Sequence, residues 1–229
     1  MQHVEPIDGL PCLVTGSAGF VGRSLVEALL ERGCTVHGFD KAPAPFEAPN
    51  LRWFQGDVRN RADLSAACHG VELVFHTAAM IETLTYAPTA FAELVRSVNV
   101  DGTKNVLDVA RGCGVRRLVH TSSIITVPDD HPRGAQEGPS YSSAPDLYSS
   151  TKVESERLVL AANGKMGLRT TAIRPGGIYG PGERNTFIGP IVSSLKQGAP
   201  LILFGNGRTR MDYTYIDNLV DAQLRAAER

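Results

Sequence analysis

The sequence predicts an α/β fold, in which one parallel sheet is covered by helices on both faces. Two observations carry this prediction: short apolar runs alternate with longer amphipathic stretches, and several runs end in glycine or small polar residues. Strands separated by helices pair in parallel, because each helix returns the chain to the same end of the sheet. We expect a doubly wound sheet followed by a small, truncated C-terminal region.

Six strands and four helices are predicted between the N-terminus and residue 175. The first strand, 10–15, runs directly into glycines, and the helix after it, 20–33, repeats apolar residues every three or four positions. The other predicted strands are 34–40, 51–57, 71–78, 115–123 and 168–175, and the other predicted helices are 61–70, one within 88–113, and 146–163.

Composition and charge are those of an ordinary globular protein. The 229 residues are 42% hydrophobic and 21% charged, and the net charge is -1, which gives no basic surface for a nucleic-acid partner. No apolar run approaches the roughly 20 residues that cross a bilayer. The N-terminus lacks the basic and apolar regions of a signal peptide. We expect a cytoplasmic protein with no membrane span.

The four cysteines are predicted to be core or surface residues without special chemistry. Cys12, Cys34, Cys68 and Cys113 are widely spaced, and none forms the short Cys-x-x-Cys pattern of a zinc site. His69 follows Cys68, but the sequence has no second pair nearby. We predict neither a metal site nor a disulfide.

A glycine-rich loop joins the first predicted strand to the first predicted helix. Its sequence, TGSAGFVG, places Gly16, Gly19 and Gly22 where backbone can approach a pyrophosphate and the helix N-terminus favours negative charge. Asp40 ends the next strand, where it can bind a ribose and would repel a 2′-phosphate. We expect NAD, with NADP as the alternative because Lys41 is adjacent. A tight turn without a ligand is the competing interpretation.

Other strand ends are expected to complete the cofactor groove. Asp57 can accept a hydrogen bond from the adenine amino group, with Val58 against the ring, or it can simply cap a helix. The segment HTAA ends the fourth strand with small residues, and ligands of parallel sheets bind at the carboxyl ends of strands. We therefore expect Ala78 and Ala79 to line the groove.

The segment YSSTK supplies a tyrosine and a lysine one helical turn apart. Tyrosine ionises near pH ~10, so proton transfer near neutrality needs a positive charge, and Lys152 lies on the same helix face as Tyr148. Ser123 at the end of the fifth strand can orient a substrate oxygen, with Ser122 as the competing choice. Taken alone, Tyr148 and Lys152 could be a chance surface pair; the glycine loop favours a catalytic one.

Eight segments, in order along nearly the whole chain, resemble the extended short-chain dehydrogenase/reductase family: TGSAGFVG, Asp40, GDV, HTAA, NVDGT, TSS, YSSTK and RPGGIYGPGE. The resemblance implies a Rossmann-type sheet, NAD or NADP, and a catalytic set formed by Ser123, Tyr148 and Lys152 with support from Asn99. The cofactor contacts expected from residues and resemblance together are Gly16, Ser17, Ala18, Gly19, Phe20, Val21, Gly22, Asp40, Lys41, Asp57, Val58, Thr77, Ala78, Ala79, Asn99, Thr121, Tyr148, Lys152, Pro175, Gly176, Gly177 and Ile178.

Two departures from the nucleotide-sugar pattern favour another substrate class. Epimerases and dehydratases of nucleotide sugars carry an asparagine where this chain has Gly177, and an arginine where it has Met211. The segments RPGGIYGPGER and GNGRTRMDYTYIDN look more like the 3β-hydroxysteroid and sterol-4-carboxylate dehydrogenases. That branch implies oxidation of a secondary alcohol on an apolar ring system. The substrate contacts expected on this basis are Met80, Ser123, Ile124, Tyr179 and Arg210.

Two other functions stay open on the sequence. An epimerase or dehydratase that retains its NAD would use the same serine, tyrosine and lysine and differ in its substrate site. A protein that senses NAD without chemistry would need none of them. The resemblance also implies a homodimer, for which the helices at 88–111 and 146–163 are the candidates.

The alternation of strands and helices ends near residue 176, which divides the chain into two predicted units. Residues 1–175 are expected to form the dinucleotide-binding domain, and 176–229 a partial substrate-binding region interleaved with it. The second unit is predicted to hold a helix near 186–197 and a strand at 200–205. The chain stops at Arg229 within a predicted helix, so we expect a fragment of a longer protein with an open substrate side.

Overall fold

The computed structural model describes residues 5–81, 88–128, 137–138, 140–143, 146–183, 188–200, 206–208 and 210–229. Its strands are β1 (Pro11–Thr15), β2 (Thr35–Asp40), β3 (Leu51–Gln55), β4 (Leu73–His76), β5 (Arg117–Thr121), β6 (Arg169–Ile173), β7 (Gly177–Tyr179) and β8 (Tyr213–Tyr215). Its α-helices are α1 (Phe20–Glu31), α2 (Arg61–Cys68), α3 (Thr89–Arg96), α4 (Gly102–Gly112), α5 (Leu147–Ala161), α6 (Ile188–Lys196) and α7 (Ile216–Ala227).

Within the described ranges, β1 to β6 form one sheet in the order β3-β2-β1-β4-β5-β6. Every neighbouring pair is parallel, and Val14 of β1 is in register with Gly38 of β2 and Phe75 of β4. The predicted α/β fold with a parallel sheet is therefore confirmed. Its strand order reverses between β1 and β4, and ligands of such sheets bind at the carboxyl ends of strands beside this reversal.

Two apolar clusters, one on each face of the sheet, hold the fold together. Leu13, Val74 and Leu118 face the cluster that α2, α4 and α5 complete. Val14 and Phe75, their neighbours in the strands, belong to the opposite cluster, which α1 and α7 complete. Successive side chains of a strand point to opposite faces, so a central strand covered on both sides must be apolar throughout. This requirement explains the unbroken apolar runs of the sequence.

The single helix expected within 88–113 is three consecutive helical segments. Helix α3 ends at Arg96, residues Ser97–Asp101 form a π-helical turn, and α4 continues from Gly102. A π-turn inserts one extra residue into a helix and frequently occurs at functional sites. Here the inserted turn contains Asn99, whose side chain is buried against the loop that follows β4.

The chain after residue 175 builds a second, small sheet and then returns to the first. Strands β7 and β8 pair in parallel, and α7 packs against α1 and β5. The predicted helix near 186–197 is α6, and residues 201–205 of the predicted strand lie outside the described residues. Across the described part of the chain, no helix has the length and apolar character that crossing a membrane requires.

Candidate active site

The glycine loop leaves no room for side chains at two of its three glycines. Gly16 has a φ of +75°, and a Cβ there would lie 2.7 Å from the backbone nitrogen of Ala78. A Cβ on Gly22 would lie 2.1 Å from the carbonyl oxygen of Gly16. At Gly19 the nearest atom is 3.2 Å away, and the residue is exposed at the start of α1. Gly16 and Gly22 therefore shape the turn, and Gly19 leaves its surface open to a ligand.

The N-terminus of α1 has the properties of an anion-binding site. No side chain caps the helix at Gly19, and its first turn carries no acidic residue. Free backbone N–H groups and the helix dipole favour a phosphate at such a position. The loop and helix thus fit the pyrophosphate of a dinucleotide, as the spacing of the glycines predicts.

Asp40 braces the glycine loop from the end of β2. Its carboxylate accepts hydrogen bonds from the backbone nitrogens of Ala18 and Ala42, both at 3.0 Å. Each carboxylate oxygen has two lone pairs and uses one of them in these bonds. Each oxygen can therefore still accept a hydrogen bond from a ribose hydroxyl. The position therefore fits the predicted ribose contact, and it adds a structural role that the sequence does not reveal.

Asp57 forms an ion pair with Arg59 that the sequence does not predict. Arg59 donates to it from the backbone and the guanidinium at 3.0 Å, and Lys41 Nζ lies 3.4 Å away. Hydrogen bonding to Arg59 lowers the pKa of Asp57 to about 2. Val58 beside it is buried against Gly102 of α4. An adenine amino group would therefore share the Asp57 carboxylate with Arg59, a residue that sequence reasoning missed.

Tyr148, Ser123 and Lys152 come together at the carboxyl end of β5. Tyr148 lies in the first turn of α5, which Asp146 caps by accepting a hydrogen bond from Ser149 N at 2.8 Å. Burial raises the pKa of Tyr148 to about 12, the charge of Asp146 adds to the increase, and a hydrogen bond with Ser123 opposes it. The alternative serine, Ser122, is buried and donates to Glu156 instead.

Lys152 is fully buried one turn after Tyr148. Its Nζ donates to the carbonyl oxygen of Thr121 at 2.6 Å, which fixes the ammonium at the end of β5. Burial lowers the pKa of Lys152 to about 8, while the charge of Glu156 acts in the opposite direction. A buried lysine whose pKa is lowered in this way is more typical of catalytic than of surface positions. The geometry therefore does not fit a chance surface pair.

The side chain of Asn99 makes two hydrogen bonds to the loop after β4 and one to α5. Its Oδ1 accepts from Met80 N at 2.7 Å, and its Nδ2 donates to Met80 O at 2.9 Å and to Thr151 Oγ1 at 3.0 Å. Its own carbonyl oxygen accepts from Thr103 and Ser155, both at 2.6 Å. Asn99 thus joins the β4 loop to α5, the helix that carries Tyr148 and Lys152.

His76 extends this network below Lys152 in one defined tautomer. Thr103 donates its hydroxyl to Asn99, so it can only accept from His76 Nε2, 2.9 Å away. The other ring nitrogen, Nδ1, then accepts from Thr15 Oγ1 at 2.7 Å. Burial lowers the pKa of His76 to about 3, and the charge of Lys152 adds to the effect. The histidine is therefore neutral at physiological pH.

A buried ion pair between Glu156 and Arg174 is the main feature of the site that sequence reasoning missed. Glu156 is 0% exposed and accepts from Arg174 Nε at 3.0 Å. The ring of Tyr141, on the loop before α5, lies 5.4 Å from the guanidinium carbon of Arg174 and 4.7 Å from that of Arg157. The pair therefore connects α5, the end of β6 and the described part of the 127–145 loop.

The residues expected to contact substrate lie on separate segments around the catalytic end of the sheet. Met80 is half-buried, Ile124 is exposed at the start of a short helical turn after Ser123, and Tyr179 lies in β7. Tyr179 contacts the rings of Tyr213 and Tyr215. Arg210 is exposed. Much of the region 80–90 and of the loop 127–145 falls outside the described residues.

The segment after β6 is held against the small sheet. Gly176 N donates to Thr214 Oγ1 at 3.1 Å, and Gly177 N donates to Asp212 O at 2.9 Å. Pro175 is buried and accepts from Ile124 N at 2.9 Å. The expected nicotinamide contacts, from Pro175 to Ile178, thus run between the segment that contains Ser123 and β8.

The cysteines have no partner in a disulfide. Cys12, Cys34 and Cys68 are buried thiols and Cys113 is an exposed one. Within the ranges that the structure describes, no group of three or more His, Cys, Asp or Glu side chains is placed to hold a metal ion.

Comparison with known families gives a match over nearly the whole chain. Residues 12–229 match the model of the NAD dependent epimerase/dehydratase family. The chain belongs to this family. The resemblance to extended short-chain dehydrogenases/reductases that the sequence motifs carry is therefore confirmed.

The most similar relatives found are mainly sterol dehydrogenases. The chain is 38% identical over 221 residues to a 3-beta-hydroxysteroid dehydrogenase of Mycolicibacterium neoaurum, and the match covers 94% of this chain and 60% of that protein. It is 41% identical to a 3 beta-hydroxysteroid dehydrogenase/Delta 5-->4-isomerase of Mycobacterium tuberculosis, covering 94% and 59%. It is 37% identical to the human decarboxylating sterol-4-alpha-carboxylate 3-dehydrogenase, covering 100% and 60%. The chain thus spans about 60% of the length of these relatives.

Solved structures of the family share the fold. MoeE5 in complex with UDP-glucose and NAD superposes with a TM-score of 0.80 at 29% identity, covering 95% of this chain and 71% of that one. The epimerase Mth375 of Methanothermobacter thermautotrophicus superposes with a TM-score of 0.87 at 25% identity, covering 97% and 69%.

Proposed function

We propose that this protein is an NAD-dependent oxidoreductase that interconverts a secondary alcohol and a ketone on a hydroxysteroid-like or other apolar substrate. The observation that carries the proposal is the meeting of Ser123, Tyr148 and Lys152 at the carboxyl end of β5. Relatives that are 37–41% identical and are described as sterol dehydrogenases support the substrate class. Gly177 and Met211, which depart from the nucleotide-sugar pattern, support it as well.

The cofactor would bind along the glycine loop, with its pyrophosphate at the N-terminus of α1 and its ribose at Asp40. NAD is favoured over NADP, because the Asp40 carboxylate would repel a 2′-phosphate. The proposal includes the predicted contacts of the cofactor with Asp57, Ala78, Ala79 and the segment from Pro175 to Ile178. When bound, NAD⁺ would supply a nicotinamide that accepts the hydrogen of the alcohol carbon together with the two electrons of the oxidation, and a positive charge that favours tyrosinate.

Tyr148, Lys152 and Ser123 have different roles in the proton transfer. Tyr148, as tyrosinate, removes the hydroxyl proton of the alcohol, and in reduction it returns a proton to the same oxygen. Lys152 supplies the positive charge that offsets the cost of ionising a half-buried tyrosine. Ser123 orients the substrate oxygen by donating a hydrogen bond as charge develops on it. Asn99 positions α5 and the loop that carries Met80.

Replacing Tyr148 with phenylalanine tests this assignment. Tyr148→Phe removes the proton donor and acceptor but keeps the ring, so turnover should fall by roughly 10²- to 10⁴-fold while the Kd for NADH stays unchanged. The measurement is NADH formation with 3-hydroxysteroids, simple secondary alcohols and nucleotide sugars as substrates. Full activity of the variant would contradict the role of Tyr148.

A nucleotide-sugar epimerase or dehydratase that retains NAD is the second candidate. The solved structures of epimerases and of MoeE5 with UDP-glucose, which superpose at TM-scores of 0.80–0.87, favour it. NAD that copurifies tightly, together with product formation and no net NADH, would support this candidate. A protein that binds NAD and forms no product from any of the three substrate classes would instead be a sensor.

We also propose a homodimer through α3 and α4 together with α5. Helices α3 and α5 pack against each other and are joined by the ion pair between Arg96 and Glu154 at 2.6 Å. Leu160 of α5 is 43% exposed. Sedimentation equilibrium at micromolar concentrations should give the mass of two chains, and a monomer there would contradict the proposal.

A further inference from the structure

We propose that Glu156 is a positioning residue of the alcohol oxidation and that it sets the hydroxyl of Ser123 against Tyr148. The proposal rests on the function proposed above and adds to it a residue that does not touch the substrate. Glu156 lies in α5 one turn after Lys152 and two turns after Tyr148. It is 0% exposed, so its carboxylate interacts only with groups of the protein.

The carboxylate of Glu156 fixes the serine segment on both sides of Ser123. The hydroxyl of Ser122 donates to Oε2 of Glu156, and Thr126 Oγ1 lies 3.3 Å from the same oxygen. Thr126 also donates its hydroxyl to the carbonyl oxygen of Ser123 at 2.8 Å. Ser122 directly precedes Ser123 and Thr126 lies three residues after it, so side chains from both sides of Ser123 lie against one carboxylate oxygen.

The same carboxylate fixes the backbone against which this segment lies. Ser122 N donates to Ile173 O at 2.8 Å, and Ile124 N donates to Pro175 O at 2.9 Å. Arg174 stands between those two acceptors, and its Nε donates to Oε1 of Glu156 at 3.0 Å. Ser123 is thus held between two backbone hydrogen bonds whose partner segment is attached to the same side chain.

The charges around Glu156 keep it ionised in this position. Burial alone would raise the pKa of the carboxyl group, but hydrogen bonds from Arg174 and Ser122 and the charge of Arg174 leave it lowered. The other titratable groups that face it are Tyr141 and Lys152. A buried charge whose donors come from several segments is strongly destabilised by displacement, because it would lose partners it cannot replace. Such a charge specifies geometry more than it adds stability.

The hydrogen bond between Ser123 and Tyr148 provides a direct measurement of this role. Isotope-labelled tyrosine gives an NMR signal from the hydroxyl-bearing Cζ of Tyr148, which Tyr148→Phe assigns and Ser123→Ala shifts. We expect Glu156→Gln to move the Tyr148 signal towards its position in Ser123→Ala. We also expect kcat to fall on the order of 100-fold, as for a misplacement of about 1 Å, with an unchanged Kd for NADH.

A matched substitution on the same helix serves as the control. Glu154→Gln removes the exposed ion pair with Arg96 and should leave both the Tyr148 signal and kcat at their wild-type values. Should Glu156→Gln alone fail to fold, Glu156→Gln/Arg174→Met removes both buried charges, and the same NMR signal decides. A stable Glu156 variant with the wild-type Tyr148 signal would overturn the proposal. A wild-type chain that forms no NADH contradicts the proposed function instead, since the NMR comparison needs no substrate.

Discussion

At the scale of single residues, the site contains ionisable groups whose burial favours their neutral forms. Tyr148 has its pKa raised to about 12 and Lys152 has its pKa lowered to about 8, in both cases chiefly by burial. His76 beneath them has a pKa of about 3. In the protein alone Tyr148 and His76 are therefore neutral at neutral pH, while Lys152 is mostly protonated and carries a positive charge at this end of the sheet. Proton transfer then depends on small changes in charge near Tyr148.

His76 makes the stability of the fold depend on pH in the acid range. Its folded-state pKa of about 3 lies below the ordinary value of 6.5, so below pH 6.5 the unfolded chain binds a proton that the folded chain does not. This contribution to stability is complete above pH 6.5 and is lost as the pH falls towards 3. Between pH 7 and 5 His76 should lower the free energy of unfolding by about 2 kcal/mol, and His120, whose pKa burial also lowers, should add to this fall. Urea unfolding at both pH values measures it, and His76→Asn should show a smaller difference than the wild type.

At the scale of elements, the strand–loop–helix unit β1–α1 separates two roles of glycine. A methyl group on Gly22 would overlap the Gly16 carbonyl, whereas one on Gly19 is only slightly crowded. Gly22 is required because any side chain there would prevent α1 from starting at its present position. Gly19 has no side chain to cover the helix N-terminus, where a phosphate would bind. The two glycines are therefore distinguishable by substitution.

Alanine at Gly19 and alanine at Gly22 should have different effects on thermal stability and on NADH binding. Gly19→Ala should keep the thermal midpoint near wild type and raise the Kd for NADH about tenfold, a cost of about 1.4 kcal/mol. Gly22→Ala should lower the thermal midpoint and weaken NADH binding together, because α1 has to move. Thermal unfolding and NADH fluorescence titration measure the two quantities. Equal behaviour of the two variants would contradict this assignment of roles.

The sequence predicts these elements well because their patterns are local. Apolar runs fix β1 and β4, and glycine spacing fixes the turn into α1, since both depend on neighbours in the chain. The choice between Ser122 and Ser123 is not local: it follows from Glu156, which occupies the position that Ser122 faces. The residues next to Glu156 in the sequence do not indicate that it is buried, because its partner Arg174 lies on another element. The Arg59 contact to Asp57 escaped prediction because exposed arginines adopt many rotamers.

At the scale of the whole molecule, the chain after residue 175 is part of the core of the preceding domain. Helix α7 buries Ile216, Val220 and Leu224 in the cluster that α1 and the sheet complete. A division at residue 176 therefore describes the order of motifs along the chain, while the packing joins both units. We expect a single cooperative unfolding transition for the two.

A substitution in α7 tests this joint packing. Leu219 is 1% exposed, so Leu219→Ala should lower the free energy of unfolding by about 2–5 kcal/mol in one transition. The matched change Leu195→Ala, at a residue of α6 that is 54% exposed, should cost less than about 0.5 kcal/mol. Denaturant unfolding followed by both fluorescence and circular dichroism gives the values. Two separate transitions would show that the units are independent.

Thr121 receives contacts from both faces of the sheet. Its carbonyl oxygen accepts from Lys152 of α5, and its hydroxyl accepts from Gln223 of α7 at 3.1 Å. The last helix of the chain thus reaches the anchor of the catalytic lysine through a single residue. A fragment cut at residue 175 would keep the glycine loop, Asp40 and Asp57, but it would lose one side of this anchor as well as the predicted nicotinamide contacts after Pro175. Anyone who transplants the nucleotide-binding half into a chimaera should therefore carry α7 with it.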